Sequence, residues 1–103
     1  MTVNPRRGAD RRILADALQG WLGDLPSWEP EGVEAWVPFL HRYEDAESSL
    51  AGRIRRLPAS QLNFTSNGRW VHLTLGGVAV RSRAGLAGTC RVWIAEARAA
   101  AVP

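Results

Sequence analysis

The stretch GRWVHLTLGGVAVRSR, Gly68 to Arg83, alternates apolar and polar residues on both sides of a Gly-Gly pair. Such alternation marks half-buried strands, and two glycines between them supply the positive φ angles of a two-residue hairpin turn. The hairpin sorts its side chains into two faces. One collects Val71, Leu73, Leu75, Val78 and Val80; the other collects Trp70, His72, Thr74, Arg81 and Arg83. Upstream, LNFT reads as a shorter strand and SNG as an Asn-Gly turn, which extends the hairpin to a three-stranded antiparallel meander. Leu62 and Phe64 join its apolar face, and that face must be covered by something else in the chain.

The cover is helical. Before Pro58 the apolar period is close to 3.6, not 2. In ADRRILADALQGWLGDL, the positions Ile13, Leu14, Ala17, Leu18, Trp21, Leu22 and Leu25 form one stripe, started by Asp10 or by Asn4 with Pro5 and ended by Gly23 and Pro26. After the connection PSWEPEG, the residues Trp36, Leu40, Tyr43, Leu50, Ile54 and Leu57 follow steps of four and three, interrupted only by Glu47. Two heptads are too few for a sustained coiled coil, so this helix is expected to pack on the first, with a homodimer left open. Pro38 fits its first turn, where no amide donor is needed, and Pro58 stops it. After the meander, GLAGTCRVWIAEARAAAV puts Leu86, Cys90, Trp93, Ile94 and Ala97 on a third stripe. The expected fold is α+β in the order ααβββα: an N-terminal helical pair, a three-stranded antiparallel meander and a packed C-terminal helix. At 103 residues it is read as one domain, 1–103, with a helical part at 1–58 and a sheet-plus-helix part at 62–103.

Charge is distributed unevenly. All 13 basic residues are arginine, and the net charge is +3. Residues 1–51 set five arginines against nine acids, net −4, while residues 52–103 set eight against Glu96 alone, net +7. Such polarity serves either a basic surface for an acidic partner or an attraction between the two halves across the fold. No apolar run approaches the length of a membrane span, and no apolar segment follows the first arginines as in a secretory leader, so no membrane association and a cytoplasmic location are expected.

The segment NGRWVHLTLGG, followed by AGTCRVWIAEAR, resembles the three-stranded-sheet-plus-helix DNA-binding modules at the N-terminus of phage-type tyrosine recombinases and the related AP2-type plant domains. Gly68 with Trp70, the turn Gly76 and Gly77, and Cys90 three positions before Trp93 occupy comparable places, over roughly a third of the chain. The family has an aromatic and a Thr-Lys-like helix start where this chain has Ala84, Gly85 and Leu86, and these 103 residues hold no recombinase catalytic domain. What the resemblance implies is a binding mode alone, in which the exposed sheet face enters the major groove.

Elementary chemistry points the same way. A β-ribbon fits the major groove, and an arginine fork can donate two hydrogen bonds to guanine O6 and N7. The candidate nucleic-acid-binding residues are therefore Arg81, Arg83, His72 and Thr74 on the outer face, with Arg69, Arg53 and Arg56 as phosphate contacts; Asn63 and Thr65 share that face. Arginines on an open sheet face are also ordinary solvated decoration, and Trp70 beside them asks for a cover. The alternative is a protein-interaction adaptor or inhibitor, of phage or mobile-element type, that uses Trp28, Trp70 and the acidic helix surface around Glu44, Asp45 and Glu47. Trp28 and Trp70 packed together as a second minor core is a further option.

No catalytic constellation emerges. His41 and His72 lie on different elements without ligands at metal spacing, Ser48 and Ser49 have no base, and no Gly-Lys-Ser/Thr follows a glycine-rich turn. The single Cys90 sits in an apolar stripe and reads as a small core residue. No enzyme activity, cofactor or metal is expected.

Overall fold

A computed structural model describes residues 5–29, 32 and 35–101. Three helices and a three-stranded antiparallel sheet follow one another as α1 (Pro5–Gly23), α2 (Trp36–Arg55), β1 (Gln61–Phe64), β2 (Val71–Leu75), β3 (Val78–Ser82) and α3 (Gly85–Ala101). The protein is thus α+β with the strands in sequential order, β1-β2-β3.

Register follows from the turns. The Gly76 and Gly77 φ angles are +57° and +77°, the conformation of a hairpin whose twist matches its strands. It sets Leu75 opposite Val78, Leu73 opposite Val80 and His72 opposite Arg81. The longer turn between β1 and β2 is built by Asn67: its carboxamide oxygen accepts from the Arg69 amide at 3.0 Å, while Gly68, at φ +69°, donates to the Thr65 carbonyl. Leu62 then faces Leu73, and Phe64 faces Val71.

All three helices contribute to the layer under the sheet's apolar face. The main core joins Ala15, Leu18 and Leu22 of α1, Leu50 and Ile54 of α2, Leu62, Val71, Leu73 and Leu75 of the sheet, and Leu86, Cys90, Trp93, Ile94 and Ala97 of α3. Trp93 is the keystone. Its buried indole N–H donates to the carbonyls of Leu75 and Val78, at 3.0 and 3.1 Å, holding the two ends of the Gly-Gly turn. The Arg11 Nε of α1 donates to the Gly76 carbonyl at 3.0 Å, and a side chain at Gly76 would press on Leu14. The β2–β3 turn is therefore held by α1 and α3 together.

Packing departs from the sequence expectations in several places. Ile13 is exposed, and Ala15 is buried in its stead. The helix begins at Pro5 and runs through Asp10, so Asp10 is no cap; Asn4 lies outside the described residues. The main partner of α1 is α3, and α2 joins α1 only through its C-terminal half, where Arg53 reaches Asp24 at 3.8 Å and stacks on Trp21. In α2, Trp36 is exposed while Phe39, three residues on, is buried. Phe64 shares the inner face by register yet stays half open at the sheet's end, under the Arg55 guanidinium. Among the described residues no helix is long and apolar enough to cross a membrane.

Candidate nucleic-acid interface

Strand alternation places Asn63, His72 and Arg81 in one row across the outer face of the sheet, and Gln61, Thr74 and Ala79 in the next. Pairing continues one step past the strands, where the Thr65 amide donates to the Trp70 carbonyl at 3.0 Å. By the same alternation Thr65, Trp70 and Arg83 form a third row. Asn63, His72, Ala79, Arg81 and Arg83 are exposed and Thr74 is half-buried. The helices lie on the opposite face, so this pleat is open among the described residues.

Trp70 does have a cover, and it is cationic. The Arg81 guanidinium carbon lies 5.3 Å from the ring centroid and that of Arg83 lies 5.6 Å away. Each contact contributes roughly 0.5–1 kcal/mol at an exposed site. The consequence is geometric as well. A guanidinium engaged by an aromatic ring still carries N–H donors for other acceptors. Neither Arg81 nor Arg83 has a carboxylate partner among the described residues. Two guanidinium groups therefore lie over one indole ring, with His72 and Asn63 in the row of Arg81.

The other sequence candidates separate. Arg69 is exposed in the β1–β2 turn next to Trp70, within the same end of the sheet. Arg56 is exposed at the C-terminal cap of α2. Arg53 turns toward α1 instead, engaged by Asp24 and Trp21, so the outer face does not include it. Arg55, which periodicity did not single out, donates to the Leu62 carbonyl at 3.4 Å and ties α2 to β1. The halves do attract one another in part, through Asp24 with Arg53 and Asp16 with Arg98 at 3.1 Å, but both pairs are exposed and neither draws on the sheet arginines. Trp28 and Trp70 do not pack together: Trp28 lies against Trp36 and Phe39.

Reactive groups are dispersed elsewhere. Among the described residues no cluster of three or more His, Cys, Asp or Glu side chains could hold a metal ion. Burial pushes the Cys90 thiol up to about 11, against a smaller opposing effect of Arg91, so the sulfur stays protonated at neutral pH. A cleft of about 250 Å³ between α1 and α2 is lined by Trp21, Asp24, Leu25, Ala46, Ser49, Leu50 and Arg53. Its Asp24–Arg53 pair is an ordinary exposed ion pair. Comparison with known protein families, with curated proteins and with solved structures found no match.

Proposed function

We propose that this is a nucleic-acid-binding protein without chemistry of its own, which presents the outer face of its sheet to duplex DNA. The observation that carries the reading is the pair Arg81 and Arg83, exposed, stacked on Trp70 and free of carboxylate partners among the described residues. A ribbon of this width enters a major groove. Arginine forks held at fixed height suit guanine edges, and His72, Asn63 and Thr74 in neighbouring rows offer shorter polar contacts. Arg69, at the end of the ribbon, supplies a phosphate contact that orients the sheet without reading sequence.

The test is a salt titration of affinity for a G·C-containing duplex. Phosphate contacts release counterions, so log K should fall linearly with log salt, by about 0.9 per phosphate contacted. Arg81→Ala with Arg83→Ala should reduce affinity at least a hundredfold and cost no more stability than the two exposed cation–π contacts, about 1–2 kcal/mol together, since both side chains lie outside the core. Unchanged binding in that double variant, or a wild-type affinity insensitive to salt, rules the reading out.

A further inference from the structure

The N-terminal half of α2 carries a second surface of opposite charge. Trp28 meets Trp36 edge-on at 5.1 Å between centroids, and both rings lie against Phe39, at 5.3 and 5.6 Å. Tyr43 follows along the same helix, 6.1 Å from Phe39. Phe39 is buried by this local group and stands apart from the main core. The outside of the group is apolar and open: Trp36 is 53% exposed and Val37 57%. Around it the chain is acidic, since residues 26–52 set one arginine against six carboxylates, net −5. Glu44 and Asp45 are exposed on the same helix.

We propose that this surface docks a basic amphipathic helix of a partner protein. Charge complementarity chooses the occupant. An apolar stripe on the partner covers Trp36 and Val37, while its flanking arginines or lysines meet Glu44, Asp45 and the aromatic faces. The cluster already accepts such a group, because the Arg42 guanidinium lies 5.8 Å from the Phe39 centroid. A second copy joined through the same surface would bring like charges together, and a polyanion is repelled. This docking surface is separate from the sheet face and does not depend on its proposed role.

The experiment uses the full chain and a fluorescently labelled 18-residue helical peptide of leucine and arginine, with two twins, one with glutamate for arginine and one with serine for leucine. Anisotropy should show the leucine–arginine peptide binding at least tenfold tighter than either twin. Trp36→Ala, and separately Glu44→Gln with Asp45→Asn, should each weaken it at least fivefold with an unchanged circular dichroism spectrum; all three positions are exposed, so folding is retained. Equal affinity for the three peptides, no binding, or variants without effect overturns the proposal. Sedimentation velocity adds a further arm: self-association abolished both by Trp36→Ala and by Arg81→Ala with Arg83→Ala would assign the surface to the sheet of a second copy and overturn it too. Duplex affinity should be unaltered in Trp36→Ala, and a parallel loss there would equally refute a separate docking surface.

Discussion

Trp28 and Trp70 both lie outside the main core, and their neighbours differ in kind. Trp70 rests on a sheet whose far side is packed by the three helices, and the groups that shield its ring are the guanidiniums of Arg81 and Arg83. Trp28 belongs to a loop laid against the first turns of α2, and its neighbours are other rings, Trp36 and Phe39, in an acidic stretch. A surface indole thus takes its character from what surrounds it. In the proposed roles, cations over the ring make it a platform for anions, and rings with nearby carboxylates make it a receptor for cations. The two regions also differ in support, because the sheet face is braced by long-range contacts and the α2 end by local ones.

That difference in support predicts the largest effect. Trp93→Ala removes a buried indole and both of its hydrogen bonds to the β2–β3 turn, and should cost about 3–5 kcal/mol in urea denaturation. For a domain of this size such a loss removes much of the total stability. A cost below about 1 kcal/mol would mean that the sheet does not lean on α3, and the contrast between the regions would collapse. Phe39→Ala should be milder and local. Amide exchange in the first two turns of α2 should accelerate, while the denaturation midpoint shifts by less than half as much as in Trp93→Ala, since Phe39 lies outside the main cluster. Equal shifts would show that the two regions unfold as one cooperative unit.

The sheet and α3 were legible in the sequence because their signals are strong and redundant. Period-2 alternation, a Gly-Gly turn and an Asn-Gly turn agree on register, and every residue of the stripe Leu86, Cys90, Trp93, Ile94 and Ala97 is buried. The helices facing them were read less well for a physical reason. Apolar residues on α1 span consecutive positions, so periodicity tolerates a rotation of one residue, and Ala15, too small to weigh in a hydropathy pattern, is buried beside Leu18 and Leu22 while Ile13 is exposed, with Ala87 and Ala97 buried on the neighbouring α3. On α2 the step-four rule selected Trp36 because it extends the Leu40 and Tyr43 spacing. The actual partner of its first turns is Trp28, from a connection in which no periodicity exists, and that partner turns Phe39 inward. The arginines of the outer face were legible from alternation alone. The stacking of Arg81 and Arg83 on Trp70 was not, because it joins the end of one strand to a residue just before another.

That stacking gives a smaller, more discriminating effect. Trp70→Leu keeps every charge and removes the platform, so duplex affinity should fall several-fold while the slope of log K against log salt stays as in the wild type. The Arg81→Ala, Arg83→Ala variant should instead lose slope, by about 0.9 for each of the two that meets a phosphate. If Trp70→Leu changes neither affinity nor slope, the ring is decoration, and Trp70 ceases to differ from any exposed indole.

The smallest effect belongs to the acidic side. Burial, and secondly the charge of Glu44, raises the Glu47 carboxyl above the ordinary carboxylate range. At Glu47 the folded protein therefore binds more proton than the unfolded chain between the ordinary value and the raised one, and the contribution of Glu47 to stability rises as pH falls through that window. Above it the cost of ionising Glu47 is fully present. Glu47→Gln removes that cost while keeping the shape of the side chain, so the variant should be as stable as the wild type at neutral pH or slightly more so. Acidification from pH 7 to about 4.3 should then favour the wild type more than the variant, a difference read from paired urea midpoints. A variant that is clearly less stable at neutral pH would mean that the ionised carboxylate holds a favourable contact, and the α2 end would no longer be a surface short of cations.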